Sequence, residues 1–278
     1  MSTPGAPWDR SFAGQAPNSG GSSPPPAVFD LAARLGAAAP DDTATVELTQ
    51  TGRMKARLDG AAWMAFSARQ TISTQHCAFD WRAKFGRLGL LAARDALVAG
   101  EGCFELTALG FIRVARAKPS SALIRGELMR YLAELAWAPG ALLGNSGLRW
   151  RTKGSDQLVV AAGAEDTAVE VTLTLDADGR IASAFAPDRP RAVGAGFVPT
   201  PWRGRFFDYR RHEGQWLPFA GEVAWVIEGQ DVVYWQGRLT QWRRFDPGTD
   251  LPSVIPKSMQ VDGDLNALRH GRPARDDR

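Results

Sequence analysis

The chain has 278 residues, of which 44% are hydrophobic and 23% are charged, and this composition excludes a wholly disordered chain, a collagen-like chain and a small disulfide-stabilised scaffold. Its 33 Lys and Arg residues nearly balance its 30 Asp and Glu residues, which leaves a net charge of +3. That balance, and the lack of a recognition motif, argue against a nucleic-acid-binding protein. A chain of this length can bury a large core without disulfides or a structural metal.

The N-terminal residues lack the basic and apolar regions of a secretory signal, and no run approaches the roughly 18–20 apolar residues of a membrane span. We therefore expect a cytoplasmic protein without a membrane span, whose two cysteines, Cys77 and Cys103, are reduced. His76 beside Cys77 lacks the spacing and the further ligands of a zinc site, and Cys77 with His212 has no nucleophile signature around it. The sequence thus predicts neither a metal nor a cofactor.

The two ends of the chain differ from its middle. Residues 1–26 include six Pro, four Gly and five Ser, a composition that cannot bury enough apolar surface to offset its chain entropy. Residues 246–278 are polar, contain Pro and show no hydrophobic period. We expect a disordered tail over 1–26, a single globular domain over 27–245 and a largely irregular C-terminal tail over 246–278.

The first predicted element is a short helix over 28–35 that ends at Gly36. After it the hydrophobic period changes from 3.6 to 2 residues, which indicates strands. Gly52 is expected to turn the chain between two of them. The Gly100–Gly102 segment lies between two apolar runs and predicts a hairpin.

One strong helix is predicted over 121–137, ended by Pro139, and strands resume after it. The segment 187–204 is rich in Pro and Gly, and we interpret it as a loop. A last hairpin around Gly229 is apolar on both faces, so both should be covered, either by a helix or ligand inside a curved sheet or by ordinary protein layers. The pattern predicts an α+β fold: a strongly curved, mostly antiparallel meandering β-sheet, half-barrel-like, with one main central helix and a short N-terminal helix.

The main helix carries the first candidate site. Glu127, Tyr131 and Glu134 recur at helical spacing and form a stripe, with Arg130 beside it. If the stripe faces a pocket, burial raises the pKa of a carboxyl group and suits it for general acid catalysis. If it faces water, it is a solvated surface with Glu–Arg pairs. Both interpretations stay open here.

Further candidates lie on the strands. Pairing across the Gly100–Gly102 turn places Asp95 opposite Leu106 on an apolar face, as a catalytic acid or in a salt bridge to an Arg on a neighbouring strand. Pairing around Gly229 places Trp225 opposite Tyr234. With Tyr131 and Arg130 of the helix, the residues predicted to bind a ligand are Trp81, Trp225, Tyr234, Trp235 and Glu222.

Long segments of the chain resemble an uncharacterised bacterial family known as a domain of unknown function. They are GELMRYLAELAWAPGALL (126–143), VPTPWRGRFFDYRRHEGQWLPFAGEVAWVIEG (198–229) and VYWQGRLTQ (233–241). The resemblance covers roughly 45–245 and implies no activity, cofactor or catalytic residue. The arrangement is also similar to the lipoprotein-carrier half-barrel, in which a curved antiparallel sheet wraps over helices around an apolar pocket.

Three classes of function follow. The leading one is a binding domain that holds a small apolar or amphipathic molecule on the concave side of the sheet. The second is an enzyme that uses the same pocket, with Glu127, Glu134 or Asp95 as the acid or base. The third is a protein-interaction scaffold whose pocket is only core. The ligand, the reaction and the oligomeric state are not specified by the sequence.

Overall fold

The structure is a computed structural model that describes residues 23–37, 45–194 and 196–245. The predicted tail 246–278 and all but the last few residues of the predicted tail 1–26 lie outside the described residues. Within them no helix combines the length and the apolar character needed to cross a membrane.

Thirteen strands of the described chain form one antiparallel sheet. They are β1 (Thr45–Lys55), β2 (Trp63–Ser73), β3 (Phe79–Phe85), β4 (Leu91–Val98), β5 (Glu101–Ala108), β6 (Ile112–Arg116), β7 (Arg149–Thr152), β8 (Gln157–Ala162), β9 (Val169–Leu175), β10 (Ile181–Val193), β11 (Gly196–His212), β12 (Gln215–Ile227) and β13 (Gln230–Phe245).

The helical segments are few. The first, α1 (Pro26–Leu35), ends at Gly36, whose φ of 81° lets its N–H bond back to the last turn. The main helix, α2 (Ser121–Ala133), begins after Ser120, whose hydroxyl accepts a hydrogen bond from the Leu123 N–H at 3.2 Å. It tightens into a 3₁₀ turn (Glu134–Trp137), and α3 (Ala141–Gly144) follows; a second 3₁₀ turn is Glu165–Thr167. The helix predicted over 121–137 is therefore α-helical only to Ala133.

The strand order explains how the main helix reaches the middle of the sheet. The order is β6-β5-β4-β3-β2-β1-β13-β12-β11-β10-β9-β8-β7, so the chain builds one half outward from β1 and returns inward from β7 to β13. The connection from β6 to β7 must pass from one edge of the sheet to the other, and α2 lies on it. Accordingly α2 contacts β4 and β5 on one side and β8, β9 and β10 on the other. The predicted fold class, a curled half-barrel with one main helix, is confirmed.

The turn predicted at Gly52 is wrong, because β1 runs straight through this residue. Gly52 lies opposite Gly237 of β13 and opposite Phe66 of β2. A side chain at Gly52 would collide with the backbone carbonyl of Gln236 and would lie 2.8 Å from the Phe66 ring. This glycine allows a close approach rather than a change of direction.

Gly52 belongs to a row of three glycines on adjacent strands, Gly52 of β1, Gly237 of β13 and Gly221 of β12, which we call the glycine row. The Trp235 ring lies over Gly237, where a side chain would collide with it, and the Trp137 ring approaches Gly221. Because the row carries no side chains, these aromatic rings lie directly against the backbone at the centre of the sheet.

The predicted loop over 187–204 is also wrong, since residues 187–193 and 196–204 belong to the paired ends of β10 and β11. Pro190 lies opposite Pro199, and a register shift between Ala186 and Arg189 accommodates the segment. The outer neighbours β9 and β12 pair with β10 and β11 only at the opposite ends of these strands. Pro190 and Pro199 therefore lie beside no outer strand to which a backbone N–H would have to donate.

The hairpin between β4 and β5 turns at Ala99 and Gly100, which both have positive φ. Asp95 therefore lies opposite Phe104 and not opposite Leu106. The register differs from the predicted one by two residues, and a shift of two leaves each side chain on the same face.

The last hairpin turns at Glu228 and Gly229, again with two positive φ values. Trp225 consequently pairs with Val232 and not with Tyr234, and the register shifts between Val223 and Ala224. The predicted cross-strand pair is wrong, yet the two rings still stack diagonally at a centroid distance of 6.0 Å.

Candidate functional site

A cavity of about 300 Å³ lies between α2 and the covered face of the sheet. This volume is in the lower part of the range for small-molecule sites. Aliphatic side chains of β1, β2, β4, β5 and β12 form part of the wall. Aromatic side chains form much of the rest, namely Trp81, Phe85, Phe104, Trp137, Trp202, Phe206, Tyr234 and Trp235. An apolar ligand body would find contacts on all of these strands.

Hydrogen bonds fix three of the indole rings in this wall. Trp81 Nε1 donates to Gln50 Oε1 at 3.2 Å, and Trp202 Nε1 donates to the Tyr234 hydroxyl at 3.1 Å. Trp137 Nε1 donates to a backbone carbonyl of β12 at 2.8 Å. A ring held at its polar end presents its apolar body in a constant orientation, so the cavity is preformed.

The polar part of the wall contains an ion cluster, which we call the Arg130 cluster. Arg130 Nη1 lies 2.5 Å from Asp95 Oδ2, and Arg130 Nε lies 2.9 Å from Glu134 Oε1. The guanidinium also lies over the rings of Phe79 and Trp81, at 4.7 and 5.3 Å from their centroids. Burial alone would lower the pKa of Arg130, but the Glu134 and Asp95 carboxylates outweigh it and raise the pKa. Arg130 thus has two carboxylate partners.

Glu127 lies behind this cluster and is 5% exposed. Glu127 Oε2 and Asp95 Oδ1 are buried and accept no hydrogen bond from any donor in the described chain. Two carboxylates cannot bond to each other, whereas a protonated carboxyl can donate to a carboxylate. Burial, and then the Asp95 charge, raise the pKa of Glu127 well above its usual value, against the opposing charges of Arg189 and Arg130. Burial and the Asp95 charge thus favour the protonated form of Glu127 more than they would in a solvated glutamate.

Arg189 of β10 is a second buried arginine on the cavity and is 8% exposed. Its Nε donates to the backbone carbonyl of Gly126 at 3.2 Å. Its guanidinium lies 4.5 Å from the centroid of the Trp202 ring and 5.7 Å from that of Trp225. Among the described residues no carboxylate lies within ion-pair distance of it.

A third arginine of the wall is fully paired. Arg205 Nη1 lies 3.0 Å from Glu222 Oε1, and Arg205 also pairs with Asp231. Glu222 Oε2 accepts a further hydrogen bond from Gln236 Nε2 at 3.3 Å. Glu222, which was predicted to bind a ligand, therefore lines the cavity as part of an ion pair.

The structure brings most of the predicted site residues to one cavity. Those that line it are Asp95, Glu134, Arg130, Trp81, Tyr234, Trp235 and Glu222. Glu127 and Trp225 lie one layer back, against Asp95 and Arg189 respectively. Tyr131 is further away: its hydroxyl donates to the Ser73 carbonyl and accepts from Asn145 Nδ2, both at 2.9 Å.

The solvated interpretation of the helix stripe is wrong. Glu127, Tyr131 and Glu134 are 5%, 0% and 9% exposed, because α2 is covered on all sides. Successive helical residues are turned by about 100°, so Tyr131 and Arg130 point to different surroundings although they are neighbours in sequence.

Most of the remaining lining residues were not predicted, and two of them, Arg189 and Gly204, matter most for what the cavity can hold. Arg189 lies in the segment that was interpreted as a loop, so no sequence pattern indicated that it lies on a paired strand. Gly204 lines the cavity between Trp202 and Phe206 of the same strand face, and a Cβ there would have no atom within 4 Å. The alternation of Trp202, Gly204 and Phe206 was visible in the sequence and marks an open position on an aromatic face.

The cysteines and histidines provide no alternative site in the described residues. Burial raises the pKa of the Cys77 thiol to about 11, which leaves it protonated at neutral pH. His212 Nε2 lies 3.2 Å from the Trp242 carbonyl, and its ring packs on Phe219. No described group of three His, Cys, Asp or Glu side chains is arranged to hold a metal.

Three solved structures are similar to the chain at low identity. A domain assigned to an outer membrane lipoprotein-sorting protein from Vibrio parahaemolyticus is 13% identical, with a TM-score of 0.45 over 80% of this chain and 93% of that one. A LolA superfamily protein from Nitrosomonas europaea is 9% identical, with a TM-score of 0.43 over 83% and 96%. A DUF1329 family protein from Desulfovibrio piger is 12% identical, with a TM-score of 0.46 over 82% and 96%.

No curated protein matches the chain. A family model described as a family of unknown function (DUF6920) matches residues 25–243, which run from the start of α1 almost to the end of β13. The resemblance expected from segments 126–143 and 198–229 is confirmed by this match. The chain belongs to the DUF6920 family, whose function is unknown.

Proposed function

We propose that the chain binds a small apolar or amphipathic molecule in the cavity between α2 and the sheet. The observation that carries the proposal is the cavity of about 300 Å³ with its aromatic wall. Protein interiors are close-packed and leave few voids larger than a water molecule, so an apolar opening of this size is typical of a ligand site.

Gly204 supports the proposal, because it leaves unfilled a place that a larger side chain could occupy. A Cβ at this position would meet no atom within 4 Å, although Gly204 lies between Trp202 and Phe206 on the cavity wall. Glycine weakens a strand relative to residues with side chains. A glycine at an open position of the wall is expected where a ligand occupies the space that a side chain would otherwise fill.

The test is the substitution Gly204→Leu, which places a side chain in the cavity. We expect 1-decanol to quench the tryptophan fluorescence of the wild type saturably and to bind Gly204→Leu at least about tenfold more weakly. The matched control is Gly196→Leu, at an exposed strand position where a Cβ also meets no atom within 4 Å. Equal binding by all three proteins, or by none, contradicts the proposal.

A second candidate function is an enzyme that uses the same cavity. The observation that favours it is the buried Glu127 beside Asp95, which itself lines the cavity: burial and the Asp95 charge raise the pKa of Glu127, as suits a general acid. Glu134 supplies a further carboxylate on the wall. Mass spectrometry of molecules that co-purify with the full chain, before and after incubation, distinguishes the two functions. For an enzyme, Asp95→Asn is expected to keep the bound molecule and to stop its conversion.

The cytoplasmic location stays a prediction. Fractionation of the source cells, followed by detection of the native chain, tests it directly. Recovery with a compartment other than the cytoplasm contradicts it and changes the pool of molecules that can reach the cavity.

A further inference from the structure

The geometry points to a carboxylate-binding subsite at Arg189. We propose that the molecule held in the cavity carries a carboxylate on an apolar body, and that Arg189 binds this carboxylate. The inference rests on the proposed function and names the chemical class of its ligand.

The first argument is charge balance along the wall. Arg130 is paired with Asp95 and Glu134, and Arg205 is paired with Glu222 and Asp231. Arg189 is 8% exposed, and within the described chain no carboxylate reaches it. A buried cation without a counter-ion is costly, and buried charges in proteins are normally paired. An anionic group entering the cavity would supply the partner that the chain itself does not.

The second argument is orientation. The ring of Trp202 lies against the guanidinium of Arg189, and Trp225 lies near it on the same side of the sheet. Nε is held by the Gly126 carbonyl. Contacts to the face of a guanidinium leave the N–H groups in its plane free, and this planar edge matches the two oxygens of a carboxylate. The subsite is therefore preorganised, because rings and backbone fix the cation before a ligand arrives.

The third argument concerns Glu127, the acidic group that acts electrostatically on Arg189 from α2. Asp95 of β4, Arg130 of α2 and Arg189 of β10 are the charged groups that act on it. Burial and then Asp95 raise the pKa of Glu127, and the two arginines oppose that rise without cancelling it. A carboxyl group whose protonated form is favoured neutralises a neighbouring arginine less, and repels an incoming anion less, than an ordinary carboxylate does. The raised pKa of Glu127 therefore supports the geometric argument that the charge of Arg189 is available to a ligand.

A neutral apolar ligand fits the aromatic wall but leaves Arg189 unpaired. A small anion without an apolar body pairs with Arg189 but leaves the aromatic wall unused. A carboxylate on an apolar body uses both, with its body against rings such as Trp81 and Trp235 and its charged end at Arg189. This combination is the one that the described contacts favour.

The test compares two probes of equal chain length, decanoate and 1-decanol, by calorimetric titration of the full chain. At about pH 7.5, where a carboxylic acid is ionised, we expect the wild type to bind decanoate at least about tenfold more tightly than 1-decanol. In Arg189→Gln we expect this preference to fall to within about twofold. Arg189→Lys keeps the charge without the planar edge, so it is expected to keep part of the preference.

The outcomes separate this inference from the proposed function. If the wild type binds 1-decanol as tightly as decanoate, the inference is overturned and the proposed function stands. If Arg189→Gln folds, as thermal melting would show, and keeps the full preference, the inference is overturned as well. If Arg189→Gln does not fold, the wild-type ratio and Arg189→Lys decide. Binding of neither probe contradicts the proposed function and this inference with it.

Discussion

Arg130 and Arg189 are two arginines with little exposure on one cavity, and their surroundings differ most in the carboxylates that pair with them. Each guanidinium lies near two aromatic rings, Arg130 near Phe79 and Trp81 and Arg189 near Trp202 and Trp225. Arg130 has two carboxylate partners, whereas no described carboxylate pairs with Arg189. Residue type and low exposure therefore do not distinguish these two arginines, whereas their direct ion pairs do.

The largest expected effect is that of removing the compensated arginine. Arg130→Met leaves the carboxylates of Asp95 and Glu134 buried without their cation, and we expect the free energy of unfolding to fall by about 3–5 kcal/mol. Arg189→Met removes a cation without stranding a carboxylate, so its effect is expected to stay within about 1 kcal/mol. Urea unfolding of both variants at neutral pH measures the difference. Equal destabilisation would mean that the two arginines are not distinguished by their partners.

A smaller effect is expected for Glu134→Gln. Arg130 keeps Asp95 in this variant, and Gln70, whose Nε2 donates to Glu134 Oε2 at 2.5 Å, can donate to the new amide oxygen. We therefore expect a loss of about 1–3 kcal/mol, less than that of Arg130→Met. The control is Glu170→Gln, which breaks an exposed pair with Arg151 and should change stability by less than about 1 kcal/mol. A Glu134→Gln loss as large as that of Arg130→Met would contradict this account of the cluster.

At acidic pH we expect Glu127→Gln to change the free energy of unfolding least of these variants. We expect the change to grow as the pH rises. The pKa of Glu127 is raised in the folded chain by burial and by Asp95, so the unfolded chain loses this proton first as the pH rises. Wild-type stability therefore falls between the ordinary Glu pKa of about 4.3 and the raised value, by about 1.4 kcal/mol for each pH unit. Glu127→Gln stays neutral, so its stability relative to the wild type should rise over that window. Denaturant unfolding from about pH 4 to 8 tests this, and parallel curves would show that the pKa of Glu127 is the same in the folded and the unfolded chain.

The fold class could be predicted because the hydrophobic period and the residues that mark turns agree along most of the chain. The details failed where one residue type serves two purposes. Glycine usually marks a turn, but at Gly52 it allows Phe66 and the backbone of β13 to approach closely. Proline usually marks a loop, but Pro190 and Pro199 lie opposite each other in a paired hairpin end. Such cases depend on which strands are neighbours, and that information is not local.

The candidate site was predictable in its residues more than in its pairings. Helical spacing put Glu127, Arg130 and Glu134 together, and alternation put Asp95 on the covered face. The salt bridge of Asp95 was expected to reach a neighbouring strand, but its partner is Arg130 of α2, because the fold packs this helix against β4. Arg189 was also missed, because the lack of a described carboxylate within ion-pair distance of it is a property of the fold and not of the local sequence.

The pairing of β1 with β13 also constrains how the chain is made. Thr45 pairs with Phe245, so the first strand to leave the ribosome waits for the last one before the centre of the sheet is complete. Until then β1 and β12 both present unpaired edges, which are templates for aggregation. Contacts between residues so distant in sequence also slow folding, because a long loop must close first. The cavity that holds Arg130 and Arg189 is complete only once β13 has been made and paired, so a nascent chain without β13 cannot use a ligand to stabilise its growing sheet.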